Sequence, residues 1–247
     1  MSRSGLVSVS FRGKPAAEVA EAAKNAGLSL IEWGSDVHAP CGDEENLKNI
    51  AALCREKGLG IFSYGTYFRV GKDRPEDIRS YIRAAKILGC RVLRIWAGDK
   101  GFSLYTEEEF AAFVSDCREI AHIAEEEDVV LCTECHNNTV TDCPEGALAL
   151  LKAVGSKAFK TYWQPNQYKT VEENLACAAA LSKYTVALHV FNWEGKEKYP
   201  LRQAEELWKK YLSLFPEDVV CLLEFMPDGR IESLPEEARA LKDLLGE

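Results

Sequence analysis

The sequence predicts an α/β chain folded as a single (β/α)8 TIM barrel spanning residues 1–247, on three observations. The segments "NAGLSLIEW", "EKGLGIFSY" and "ILGCRVLRIW" share one grammar, in which a helical pattern stops at a glycine and an apolar run begins. Gly27, Gly58 and Gly89 recur at equal intervals of 31 residues, and glycine suits the position after a helix because it enters the left-handed conformation at little cost. Beyond residue 89 the alternation continues to eight apolar runs and eight amphipathic stretches, which calls for parallel strands with right-handed crossovers. Eight such units in 247 residues close a barrel more readily than they fill an open sheet, and no glycine-rich nucleotide motif supports the latter.

The strands are expected near 6–11, 28–33, 60–64, 91–96, 128–134, 159–164, 185–191 and 219–224. The helices are expected near 15–26, 44–57, 75–88, 107–126, 144–154, 171–183, 201–213 and 235–245. Thr106 with Glu109, Thr170 with Glu173 and Ser233 with Glu236 have the spacing of capping boxes, which satisfy exposed N–H groups at helix starts. Pro15, Pro75, Pro144 and Pro235 fall in first turns, where a missing N–H costs nothing. In the fourth helix Phe110, Phe113, Val114, Cys117, Ile120, Ala121 and Ala124 form one apolar stripe.

A hydrophobic fraction of 47% fits a globular core, and the formal charge of −9 argues against a nucleic-acid partner, whose phosphates need clustered Lys and Arg. No run approaches the roughly 18 apolar residues of a membrane span. The N-terminal stretch does not read as a secretory signal, so a cytoplasmic protein with free thiols is expected. A small-molecule substrate fits this balance. Self-association into a homo-oligomer is allowed but not specified.

A barrel of this kind places its chemistry at the C-terminal strand ends. Those ends read "SFR", "EWGSDVH", "SYGTY", "RIWAGD", "TECHNN", "WQPNQ", "HVFNW" and "LEFMPDG". Trp33, Trp96, Trp163 and Trp193 fall there, and indole faces suit sugar C–H surfaces; packing over the barrel core is the equal alternative for each. Glu134, Gln164, His189 and Glu224 end the fifth to eighth strands. Residues two apart share a strand face, so Val220, Leu222 and Glu224 point one way, as do Ala187, His189 and Phe191. Interior carboxylates need partners, and two of them with an imidazole and an amide oxygen point to one divalent metal, whether Mn, Mg, Co or Zn. An ion pair with Arg or Lys is the plainer alternative.

The stretch "LCTECHNN" matches C-x-x-C-H, a haem-attachment pattern. Strand alternation puts Cys132, Glu134 and His136 on one face and Cys135 on the other, so the two thiols cannot share a haem or a zinc ion. The carboxylate between them is the residue of interest.

The order Glu134, Gln164, His189, Glu224 resembles the xylose isomerase-like TIM barrels, and within them the sugar phosphate isomerase/epimerase group with its ketose 3-epimerase and inosose dehydratase relatives. The resemblance spans the whole chain and includes "IEWGSDVH", "SYGTYFRVG", "YWQPN" and "LHVFNW". It implies a metal held by Glu134, His189 and Glu224, with Gln164 standing where the family has Asp and Gln167 where the epimerases have a substrate-binding His. It further implies a sugar isomerase or epimerase that moves a proton next to a carbonyl through an enediolate, with Glu134 and Glu224 as the acid–base pair. A sugar or inosose dehydratase and a non-catalytic sugar-binding barrel are the alternatives. An abasic-site endonuclease is disfavoured by the acidic charge and only four histidines.

The expected carbohydrate contacts are His38, Trp33, Arg94, Trp96, His136, Trp163, Asn166, Gln167 and Trp193. Arg12 and Arg94 could hold a substrate oxygen, or pair instead with Asp36, Asp99 or a barrel carboxylate. His122 reads as structural, and Lys196 and Lys198 as solvated charges.

Overall fold

The computed structural model describes residues 3–247, and no helix among them is long and apolar enough to cross a membrane. In chain order the strands are β1 (Ser4–Val7), β2 (Leu30–Gly34), β3 (Gly60–Arg69), β4 (Val92–Trp96), β5 (Val130–Glu134), β6 (Phe159–Trp163), β7 (Thr185–Val190), β8 (Trp193–Glu194), β9 (Glu197–Lys198) and β10 (Val220–Leu223). β1–β7 and β10 close into a parallel barrel, in the order β1-β10-β7-β6-β5-β4-β3-β2. β8 and β9 form a small antiparallel ribbon beyond β7, which periodicity did not predict.

Among the described residues eight α-helices surround the barrel: α1 (Ala16–Asn25), α2 (Glu44–Lys57), α3 (Ile78–Leu88), α4 (Glu107–Glu126), α5 (Pro144–Val154), α6 (Val171–Leu181), α7 (Glu205–Leu212) and α8 (Leu234–Leu245). Gly58 and Gly89 end α2 and α3 in the left-handed conformation, as expected. The Thr106 and Thr170 capping boxes are formed. Ser233 is not a cap: its hydroxyl donates to Asp228, and a short 3-10 turn leads into α8. β1 is shorter than expected, because residues 8–11 leave the sheet as a 3-10 turn. There the Ser8 hydroxyl takes the Gly34 N–H.

Two apolar layers result. Outward-facing strand residues pack under the helices in one continuous core. Val7, Val9, Cys132, Tyr162, Ala187 and Leu222 fill the inside of the barrel. Cys135 packs against the outer layer while Cys132 lies inside, so the two thiols stand on opposite faces.

β3 is the irregular strand. After Gly65 pairs with Arg94, the register slips until Arg69 pairs with Trp96, carrying β3 past the barrel rim. Tyr67 and Arg69 face the mouth, and Phe68 between them is buried in the core.

A buried Glu–His–Glu site under an aromatic mouth

Alternation along each strand decides what meets on the barrel axis. In register, Val7 lies beside Glu32, Glu32 beside Ser63, Gly65 beside Arg94 and Leu222 beside His189. Above the apolar plug these strands therefore deliver Glu32, Arg94, Glu134, His189 and Glu224, all buried. Arg94 donates through Nε to Glu32 Oε1 at 3.0 Å and through Nη1 to Glu134 Oε2 at 2.5 Å. Glu32 takes a further bond from the Ser63 hydroxyl at 2.8 Å. The Thr141 hydroxyl donates to the Glu134 backbone carbonyl and fixes the end of β5.

His189 is the centre of the group. Its Nδ1 lies 3.0 Å from Gln164 Oε1, 3.4 Å from Glu134 Oε1 and 3.5 Å from Glu224 Oε2. One ligand atom from each of Glu134, His189 and Glu224 falls within 4.8 Å of the others. His189 Nε2 is buried without a hydrogen-bond partner among the described residues and stands 3.9 Å from Glu32 Oε1.

Three carboxyl groups facing one guanidinium and one imidazole leave this floor short of positive charge, and the titration tendencies follow. Burial alone would push Glu134 up, but the Arg94 charge, helped by His189, holds it well below the usual carboxylate range. Burial opposes a charge on His189, yet Glu224, Glu134 and Glu32 together raise it to about 9. Glu224 is raised, first by burial and then by Glu134, against the pull of His189. Without a metal this deficit raises the proton affinity of His189 and Glu224. A divalent cation would relieve the same deficit, and the donor set of two carboxylates and one imidazole suits it. Glu134, His189 and Glu224 could hold a metal.

Gly65 makes room for this arrangement. A Cβ there would stand 2.7 Å from Glu32 Oε1 and 2.9 Å from Arg94 Nη2.

Above the floor opens a cavity of about 630 Å³, within the usual size of a small-molecule site. Of the expected contacts, Arg94, Trp96, His136, Asn166, Gln167 and Trp193 line it, together with Glu134, Gln164 and Glu224. Trp96 stacks edge-on with His136 at 4.8 Å. Asn166 donates to Asn137 and helps hold the loops that follow β5 and β6. The cavity also takes in Tyr67, Arg69 and Phe225, which sequence reasoning did not single out. Phe225 has φ 55, a left-handed conformation costing an aromatic residue roughly 1–2 kcal/mol. Its N–H donates to Ser10, and its ring sits 5.4 Å from Trp193 on the cavity wall.

Three expected contacts lie elsewhere. Trp33 points out of the barrel, fully buried, and donates to Cys54 on α2. Trp163 also points outward, into a cage of Trp208, Tyr211 and Phe215. His38 is buried with its two nitrogens on Ser8 Oγ and the Lys14 carbonyl, so no ring nitrogen remains for a substrate. Arg94 reaches the cavity, but its guanidinium is held by Glu32 and Glu134, which makes it a positioning residue. Arg12 is paired with Asp36 and Tyr67. Lys198 is not simply solvated, since its ammonium lies over the Trp193 and Phe225 rings.

The structure is similar over almost its whole length to several solved barrels. The probable 3-DHS dehydratase AsbF of Bacillus anthracis has TM-score 0.81 at 18% identity, with 98% of this chain and 99% of that one covered. A D-allulose 3-epimerase from Methylomonas sp. has 0.70 at 14%, covering 98% and 97%. A xylose isomerase-like TIM barrel protein from Mycobacterium smegmatis in complex with magnesium has 0.68 at 16%, covering 96% and 90%. At these identities the likeness speaks for the fold, and no curated protein matches the chain in sequence. The model of one family does match, over residues 20–197, which is most of the chain. With its closed eightfold barrel and its buried Glu–His–Glu group, the protein belongs to the xylose isomerase-like TIM barrel family.

Proposed function

We propose that the protein is a divalent-metal-dependent sugar isomerase or epimerase that transfers a proton at the carbon next to a carbonyl. The observation that carries this reading is the unequal pair at the cavity floor. Without a metal, Arg94 holds Glu134 below the usual carboxylate range and burial raises Glu224, while one oxygen of each faces the same imidazole nitrogen. Carboxyl groups whose environments push their pKa values apart are suited to base and acid roles. Glu134, Gln164, His189 and Glu224 would hold the ion, with the Gln164 amide oxygen in the fourth place. Such an ion would polarise the substrate carbonyl and favour an enediolate. Arg94 engages Oε2, so Oε1 is the oxygen that Glu134 would offer to the ion or, when released from it, to the proton on carbon. Glu224 would return a proton to the opposite face or to oxygen. Arg94 keeps Glu134 aimed, and the Trp96 and Trp193 walls would bind the carbon skeleton.

A second reading is a dehydratase, which begins with the same proton abstraction and then protonates a departing hydroxyl. In that reading Glu224, whose carboxyl lines the cavity, would be the acid.

Incubation with ketoses, aldoses and inososes in D2O with Mn2+, followed by NMR, tests both readings. Deuterium next to the carbonyl with epimerised or isomerised product is the expected result, and loss of water signals the second reading. No exchange with any of them, together with no Mn2+-dependent rise in Tm, would overturn the proposal.

A further inference from the structure

The floor of the cavity consumes its own charges, but the mouth does not. Arg69 lines the cavity on the overlong end of β3, with its guanidinium carbon 4.6 Å from the centre of the Trp96 ring. Its Nη1 donates to the Gly98 carbonyl at 2.6 Å. No carboxylate of the described residues pairs with this guanidinium. Asp99, whose charge it feels, is taken by Lys72 at 2.8 Å, and Asp73 accepts only the Arg69 backbone N–H. Arg12 nearby is neutralised by Asp36. Arg94 lies 6.0 Å from the same Trp96 ring. The indole therefore has two guanidiniums nearby, one spent on Glu32 and Glu134 and another that retains an unspent charge. The two guanidinium carbons are no further apart than the sum of these two ring distances, the reach of a short polyhydroxylated chain from the floor to the mouth.

An unpaired guanidinium whose plane is held by an aromatic ring is built for a planar anion, because its remaining N–H fork matches the two oxygens of a carboxylate. The one unit of charge that Arg69 offers matches a carboxylate better than a phosphate dianion.

We infer that Arg69 is the recognition residue for a carboxylate on the substrate, so that the cavity takes a sugar acid in preference to a neutral sugar. This rests on reading the cavity as a carbohydrate site, but not on the reaction that follows.

The test is binding by calorimetry, with and without Mn2+, of D-glucuronate, D-galacturonate and 2-keto-D-gluconate against D-glucose, D-galactose, D-fructose and D-glucose 6-phosphate. At least one acid should bind about 10- to 100-fold more tightly than its neutral counterpart, a preference of the size expected for charge-assisted hydrogen bonds. R69A should remove that preference while neutral sugars still bind, and R69K should restore only part of it. Failure of all three acids to bind up to tens of millimolar, or equal affinity for acids and neutral sugars, overturns the inference. So does a preference for the phosphate alone, or one abolished by K198A and untouched by R69A. If the acid preference holds while Mn2+ leaves the Tm unmoved, the anion site stands and the metal-enzyme reading falls. Equal affinities with an intact Mn2+ response mean the reverse.

Discussion

Glu32 on β2 and Glu134 on β5 are the same residue type, buried in the same barrel and bonded to the same guanidinium, yet they are not equivalent. Both Glu32 oxygens are occupied, one by Ser63 and one by Arg94. Glu134 gives one oxygen to Arg94 and keeps the other toward His189 and the cavity. A free oxygen, rather than burial or charge, separates a carboxylate that can do chemistry from one that counterbalances it.

Breaking the β2 side should cost the most. Glu32→Ala leaves Arg94 with one partner and the Ser63 hydroxyl with none, and removal of one member of a buried ion pair costs about 3–5 kcal/mol. Urea unfolding measures it, and a loss below about 1 kcal/mol would erase the distinction drawn here.

The next effect is a pH dependence of the β5 side. His189 has its folded pKa raised from 6.5 to about 9. Its contribution is therefore fully present below about pH 6.5 and is lost as pH rises through about 9, by up to about 3 kcal/mol. Glu224, also raised, acts in the same sense because it holds its proton more tightly when folded. Metal-free protein should unfold at lower urea near pH 9 than near pH 6. Mn2+ affinity should run the opposite way and increase with pH, since coordination requires the neutral imidazole. A metal-free stability that is flat across this window would contradict the charge account.

Smaller effects sharpen the contrast. Glu134→Gln and Glu224→Gln should each lower Mn2+ affinity at least about 10-fold, as losses around metal sites do, while folding stability changes by less than that of Glu32→Ala. If calorimetry finds Glu32→Ala and Glu134→Gln equally harmful to Mn2+ binding in folded protein, Glu32 is more than a counter-charge. Thr106→Ala, in the α4 capping box far from both carboxylates, should cost about 1 kcal/mol and leave Mn2+ binding unchanged, which thermal unfolding with and without the ion would show.

The barrel was legible because glycine stops and apolar runs are local signals that eightfold closure leaves intact. Glu134, Gln164, His189 and Glu224 were legible because alternation on β7 and β10 turns position into direction. The same rule applied to β2 and β6 would have found more. Glu32, not Trp33, shares the inward face with Leu30, and Tyr162 with Gln164 takes the inward face of β6, sending Trp163 out among the helices. Arg94 and Trp96 obey it together. What alternation could not supply was the slip in β3 that carries Arg69 over Trp96, or the left-handed turn at Phe225. Those arise from pairing and loop closure across strands distant in sequence.

Gly65 ties these parts together. Its missing side chain is the space in which Glu32 and Arg94 meet, so a change there is felt on β2, β4 and β5 at once. Residues at the mouth can be exchanged one at a time as substrates change over evolution. A heavier occupant at position 65 would push aside the ends of both side chains and disturb the pair they form. Anyone grafting this site onto another barrel would have to transplant the glycine along with the acids.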